Sequence, residues 1–158
     1  MFKISSPVNR PINQKFGANS RNYLRFGLPG HEGIDFACPP GDPVHACLDG
    51  QVVAAGEYGA YGLRMIIAST VTDNADQQKK VQLIYAHLSK IFYFKGVQVQ
   101  AGNLIALSGN TGNSGGPHLH LTMIIEGEQT LGYPAGIVDP EPYLLTPTDQ
   151  GSGKDQPC

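Results

Sequence analysis

The sequence has too few cysteines for a disulfide framework. Three occur in 158 residues, Cys38, Cys47 and Cys158, and their spacing makes no zinc knuckle. Cys38 and Cys47 could bridge a hairpin, but two buried thiols are the simpler expectation. Basic charge is scarce too. Eleven Lys and Arg against thirteen Asp and Glu leave a formal net charge of −2, and no basic stripe is visible, which excludes a nucleic-acid partner. No run approaches the ~18 apolar residues of a membrane span. The N-terminal stretch MFKISSPVNRPINQKFG contains no apolar h-region, so no secretory signal is read in it. No segment sustains a 3.6-residue apolar period; the most that is expected is a short helical turn near Leu88–Ile91.

Glycine and proline are plentiful, at 20 and 12 residues. The runs between them are short and rich in Val, Ile, Leu and Tyr, the pattern of an all-β, mainly antiparallel domain with tight turns. The length fits one domain. Residues 1–30 read as an irregular lead-in that tucks Phe16 into the core, residues 31–145 as the body, and residues 146–158 as a flexible tail of linker composition. Strands are expected at Val44–Ala46, Gln51–Ala55, Leu63–Ser69 and Val81–His87, the last two joined by a polar tip, Thr72–Lys80. A weak repeat relates Gly41–Val44 plus Asp49–Gly56 to Gly96–Val99 plus Ala101–Gly109. Each half is a short strand, a turn and a longer strand, which suggests a two-layer, sandwich-like fold with a groove.

The chemistry gathers at GNTGNSGGPHLHLTMII, Gly109–Ile125. A glycine-rich turn feeds a strand on which His118 and His120, two apart, project from one face. In His31-Glu32-Gly33-Ile34-Asp35, His31 and Asp35 share a face of an extended segment. These two and one of the paired histidines make three N/O ligands, the usual count for a catalytic zinc with a fourth position open to water. The other member of the pair and His87, in Tyr85-Ala86-His87-Leu88, are left for proton transfer.

The ordered set H-x-x-x-D, Y-A-H-L and T-G-N-S-G-G-P-H-L-H resembles the lysostaphin-like (LytM-type) zinc endopeptidases, which cut peptide cross-bridges of bacterial peptidoglycan. The likeness runs from about Phe16 to Leu144 and includes the G-D-P-V-x-A-x-x-D-G-x-V block. It implies one zinc per chain held by His31, Asp35 and His120, with His118 and His87 orienting the water and stabilising the transition state. It also implies a groove on an antiparallel sheet, and peptidoglycan stem peptides or cross-bridges as the partner of a monomer. Where the family commonly has an aromatic and an acidic residue after H-L-H, this chain has Leu121-Thr122-Met123, a change expected to alter groove polarity.

The remaining candidates weigh less. His45 reads as an ordinary histidine and Glu32 as exposed charge; Tyr58 and Tyr61 fit core or groove wall equally. Asn110, Asn113 and Ser114 fit substrate contact or turn chemistry. Lys79, Lys80 and Arg64 are the cations expected to meet the carboxylates of a diaminopimelate-type stem peptide across a groove walled by the Thr72–Lys80 tip. A family member without activity, binding wall or regulating another hydrolase, is the alternative; the complete ligand set favours an enzyme. Its substrate lies in the cell wall or periplasm. The expectation is a phage lysin delivered by holin or virion, or a domain of an exported protein.

Overall fold

The computed structural model describes residues 1–146. Turns cut these residues into ten strands: β1 (Ile12–Gln14), β2 (Ile34–Phe36), β3 (Pro43–His45), β4 (Gly50–Glu57), β5 (Leu63–Thr72), β6 (Gln78–Ile91), β7 (Gln98–Val99), β8 (Leu104–Ser108), β9 (Leu119–Ile125) and β10 (Ile137–Val138). The helices among the described residues are one four-residue turn, α1 (Ser20–Tyr23), and 3₁₀ turns at Leu24–Phe26, Gly59–Tyr61 and Glu141–Tyr143. The strands form one antiparallel sheet in the order β1-β2-β9-β6-β5-β4-β7, with β10 beside β9 and a β3–β8 limb attached to β6. The tail expected over residues 146–158 lies, from residue 147 on, outside the described residues.

Strand β6 organises the sheet. Its first three residues pair with β5 alone, and Val81 to Ala86 run between β5 and β9; past His87 it leaves β9 and pairs with β8 through Leu88↔Ser108 and Ile91↔Ala106. The helical turn expected at Leu88–Ile91 is therefore absent, and these residues are strand. A ladder of backbone hydrogen bonds to β8 outweighs a weak local preference. The Thr72–Lys80 tip is also shorter than expected. Thr72↔Gln78 and Thr70↔Lys80 are ladder pairs, so only residues 73–77 turn, with Asp73 Oδ1 accepting from the Ala75 and Gln77 amides at 2.9 and 3.0 Å.

The repeat has a topological meaning. The short strand of each half pairs with the long strand of the other, β3 with β8 and β7 with β4. The turn amides are exchanged in the same way: Ala46 and Asn103 are bonded, as are Val52 and Val97. Both halves feed one core, in which Val44, Ile105 and Ala106 pack with Leu83, Tyr85, Leu121 and Met123. The lead-in is stitched onto this body: Ile4 and Val8 are buried, the Ile4 amide donates to Tyr143, and the His45 amide donates to Pro7. Phe16 stacks on Tyr133 with ring centroids 4.6 Å apart.

Alternation along β9 separates the two faces of the sheet. Leu119, Leu121 and Met123 are fully buried in the core. His118, His120 and Thr122 therefore lie on the opposite face, where β6 brings Ala86 beside His120 and Ile84 beside Thr122. Cys38 and Cys47 are buried free thiols. Burial, with Asp42 nearby, pushes the Cys38 thiol up to about 11, and burial pushes Cys47 up to about 12.

Candidate metal centre

Strand β2 pairs with β9 so that Asp35 sits directly opposite His120. Gly33 lets the two backbones approach: a Cβ there would collide with the Leu121 carbonyl oxygen and meet His120 Cε1 at 3.0 Å. The result is a triangle of donor atoms. His120 Nδ1 is 2.9 Å from Asp35 Oδ1, His31 Nε2 is 3.2 Å from the same oxygen, and the two ring nitrogens are 3.0 Å apart. All three residues are buried. The donors of a tetrahedral zinc with ~2.0–2.1 Å bonds stand ~3.3 Å apart, so His31, Asp35 and His120 could hold that ion with little movement. Burial alone would raise the Asp35 pKa, but hydrogen bonds and charge from His120 and His31 prevail and hold it well below the usual carboxylate range.

The outer nitrogen of each ring has a hydrogen-bond partner of its own. His31 Nδ1 donates to the Lys15 carbonyl at 3.1 Å, leaving a lone pair on Nε2. His120 Nε2 lies 2.7 Å from Thr122 Oγ1, a hydroxyl that can accept its proton and so free a lone pair on Nδ1 for a metal. With both inner nitrogens deprotonated, three lone-pair atoms would face one another at ~3 Å, a repulsion that a divalent cation would relieve.

The other two histidines border the triangle. His118 Nδ1 donates to the Gly116 carbonyl at 2.7 Å, and its Nε2 lies 3.6 Å from Asp35 Oδ2. His87 Nδ1 donates to the Thr111 carbonyl at 2.7 Å, and its ring centroid lies 4.7 Å from that of His118. Regular alternation would point His87, two beyond the buried Tyr85, into the core. Its backbone instead adopts the left-handed region, φ +59°, at the point where β6 changes partners. That local kink turns the ring onto the face of His118 and His120. Burial, aided by the nearby His118 and His120, lowers the His87 pKa to about 4, so the ring is neutral at pH 7.

All five residues singled out for chemistry from sequence thus converge, and His45 stays apart on β3. Glu32 is a correction: it is half-buried and accepts a hydrogen bond from Tyr61 at 2.8 Å rather than being merely exposed. Tyr61 is half-buried with its ring 6.0 Å from that of His120; burial, with the Glu32 charge beside it, pushes its phenol well above the usual range. Thr122 is also a correction: it is buried and bonded to His120, so it touches the centre rather than groove polarity. The Thr72–Lys80 tip does not border the centre. Lys80 lies seven residues along β6 from His87, about 23 Å, and Lys79 and Lys80 pair with Glu128 and Glu126. Arg64 packs on Tyr58 at 3.8 Å. Ser114 Oγ bonds the Gly116 carbonyl and lies 3.2 Å from His118 Nδ1. The Asn113 amide ties the glycine turn to Ala60. Sequence reading missed Thr111, whose hydroxyl also joins Leu63 to Leu88, and Tyr133, which donates to the His31 carbonyl. Thr111 heads the T-G-N-S-G-G-P turn, a position that could have marked it; Tyr133 carries no local signal.

Comparison with known proteins agrees with this geometry. The model of peptidase family M23 matches residues 29–131. The chain is 37% identical over 143 residues to a protein of Neisseria meningitidis serogroup B named DD-carboxypeptidase/endopeptidase Mpg, which covers 90% of this chain and 30% of the relative. It therefore spans less than a third of that curated relative. The solved catalytic domain of lysostaphin from Staphylococcus simulans superposes with a TM-score of 0.65 at 28% identity, covering 85% of this chain and 92% of that one. A zinc-containing peptidase from Vibrio cholerae gives 0.65 at 32%, covering 76% and 36%. With a family match over most of its length and a metal triangle on the matching sheet, this chain belongs to peptidase family M23, a family of zinc metallopeptidases.

Proposed function

We propose that the protein is a zinc-dependent endopeptidase that hydrolyses peptide cross-links of bacterial peptidoglycan in the cell wall or periplasm. In this reading His31, Asp35 and His120 hold the metal within one catalytic domain, residues 1–145. The observation that carries it is the buried donor triangle, with edges of 2.9–3.2 Å, flanked by two tautomer-fixed imidazoles.

A zinc held by His31, Asp35 and His120 would supply Lewis acidity, polarising a carbonyl and lowering the pKa of water toward neutral. His118, its Nδ1–H committed to Gly116, offers Nε2 as the base; the Asp35 carboxylate at 3.6 Å steadies the imidazolium that forms. The same nitrogen then passes the proton to the departing amine. His87, held neutral, accepts a hydrogen bond through Nε2 and orients the water beside His118. Thr111 and Gly116 keep both rings from rotating.

A direct D,D cross-link of diaminopimelate-type peptidoglycan is the substrate class we favour over a glycine bridge. The support is the name of the Neisseria relative, a DD-carboxypeptidase/endopeptidase. Two of the cations invoked from sequence, Lys79 and Lys80, give no support, since they are paired with acids at the far end of β6. The test is incubation with diaminopimelate-type sacculi and, separately, pentaglycine-bridged walls, followed by mass spectrometry of the released ends. New D-alanine carboxyl ends and free diaminopimelate amines are expected. Faster cutting of pentaglycine would overturn the substrate class, and cleavage of glycan would overturn the endopeptidase reading.

A further inference from the structure

Arg64 is a cation that the sheet places beside the metal triangle. It stands on β5 between Leu63 and Met65, which both pack into the core, so its side chain leaves from the opposite face, the one that carries His120. The flanking pairs Leu63↔Leu88 and Met65↔Tyr85 put it across from Ala86 and His87 on β6. Ala86 in turn lies opposite His120 on β9. Two strand spacings, about 10 Å, therefore separate Arg64 from the histidine. The Tyr61 ring bridges them, 6.0 Å from the His120 ring and 6.0 Å from the Arg64 guanidinium carbon.

The guanidinium is held by stacking. Its carbon lies 3.8 Å from the centre of the Tyr58 ring. Stacking on an aromatic face occupies the plane of the group and leaves the N–H donors along its edge free. Among the described residues those donors have no acceptor. Arg10, Lys15, Lys79 and Lys80 are each paired with an acid, whereas Arg64 makes no ion pair and no side-chain hydrogen bond. Glu32 is committed to the Tyr61 hydroxyl instead. Gly56, opposite Arg64 on β4, has no side chain, and nothing lies within 4 Å of where one would begin. The flank of the arginine is thus open.

We propose that Arg64 is a specificity-determining residue that binds a carboxylate of the substrate peptide close to the scissile amide. This rests on the endopeptidase reading above and names the group by which its substrate is told apart. An arginine fork takes a carboxylate through two parallel N–H···O bonds, which fix its position as well as neutralise its charge. The tyrosine platform orders the side chain before the peptide arrives, so less freedom is lost on binding. An extended peptide covers about 3.4 Å per residue, so a carboxylate within three residues of the scissile bond is in range. In a D,D cross-link the diaminopimelate residue carries a free carboxylate on the carbon attached to the scissile nitrogen. A glycine bridge has no charge there.

The test uses two synthetic cross-linked stem peptides that differ in one group: the diaminopimelate carboxylate beside the scissile amide is free in one and amidated in the other. Two quantities are read, kcat/KM of the zinc-loaded protein and the Kd of each peptide for the zinc-chelated protein by titration calorimetry. The parent should favour the free carboxylate by about 10–100-fold in both, the worth of a charge-assisted hydrogen-bonded pair. Arg64→Gln should lose that factor on the carboxylate peptide and handle the amidated one as the parent does. Arg64→Lys keeps the charge without the fork and should fall between. Equal losses on both peptides in Arg64→Gln would mark a merely structural role and overturn the proposal, as would an unchanged preference. Urea unfolding checks that the variants fold. If Arg64→Gln does not, Arg64→Lys and the parent's own preference decide, and a parent with no preference overturns the proposal. A parent that cleaves neither peptide, yet binds the free carboxylate more tightly through Arg64, would fail the endopeptidase reading and keep the carboxylate subsite. A parent that cleaves and binds both alike would keep the endopeptidase reading and fail the subsite.

Discussion

Replacing His87 by glycine and by alanine separates the work of its ring from the cost of its backbone. Both substitutions remove the imidazole and its 2.7 Å hydrogen bond to the Thr111 carbonyl, a loss of about 0.5–1.5 kcal/mol that the two variants share. They differ at φ +59°. Alanine keeps a Cβ in the left-handed region, where an L-residue is disfavoured by about 1–2 kcal/mol, and glycine does not. Glycine gives part of this back, about 0.4–1 kcal/mol, through its freer unfolded chain. His87→Gly should therefore be more stable than His87→Ala by about 1 kcal/mol, which is a melting difference of about 2–4 °C for a chain of this size. The assay is urea unfolding of both variants with metal chelated. Turnover on sacculi should drop in both, by about 10²–10⁴-fold, as expected of a side chain that hydrogen-bonds the attacking water beside the base. Equal stability, or a more stable alanine variant, would refute the idea that the kink is imposed against local preference. Near-parental turnover in both would refute the role of the ring.

Asp35→Ala and His120→Ala should each abolish zinc retention, read by metal analysis of the purified proteins, and also the thermal stabilisation that added zinc gives the parent. Stability of the metal-free protein should fall with acid. The pKa of His87 is lowered to about 4 from 6.5 and that of Asp35 is also lowered. The His87 contribution is thus complete above ~6.5 and lost as pH falls toward 4, and that of Asp35 is lost only at still lower pH; urea midpoints that stay flat from pH 7 to 4 would contradict this. Gly33→Ala should cost about 1–3 kcal/mol by forcing β2 off β9, and it should weaken zinc binding in the same protein, measured by unfolding and chelator competition. Cys38 and Cys47, with thiols raised to about 11 and 12, should resist a thiol reagent in the folded protein and react after denaturation, as mapped by peptide mass.

Sequence by itself determined the β character, through short β-branched runs between glycines and prolines, and pointed to the residues that converge at the candidate site, through the two-residue spacing of His118 and His120 and the ordered motifs around them. Those signals are local: alternation is a property of a few consecutive residues, and a turn needs its glycine wherever the strands lead. Tertiary structure decided what depends on distant partners. Residues 88–91 are strand because β8 is there to pair with them, and the Thr72–Lys80 tip is remote from the centre because β6 is fourteen residues long. The exchange of short strands between the two halves is a matter of pairing, and no single segment encodes it. His87 reaches His118 only through a left-handed residue that strand alternation opposes, held by a ladder on either side. The Tyr61–Glu32 hydrogen bond beside His120 joins residues 29 apart in sequence, so spacing could not reveal it. Hydrogen-bond partners across a sheet are fixed by register, and register is a property of the assembled core.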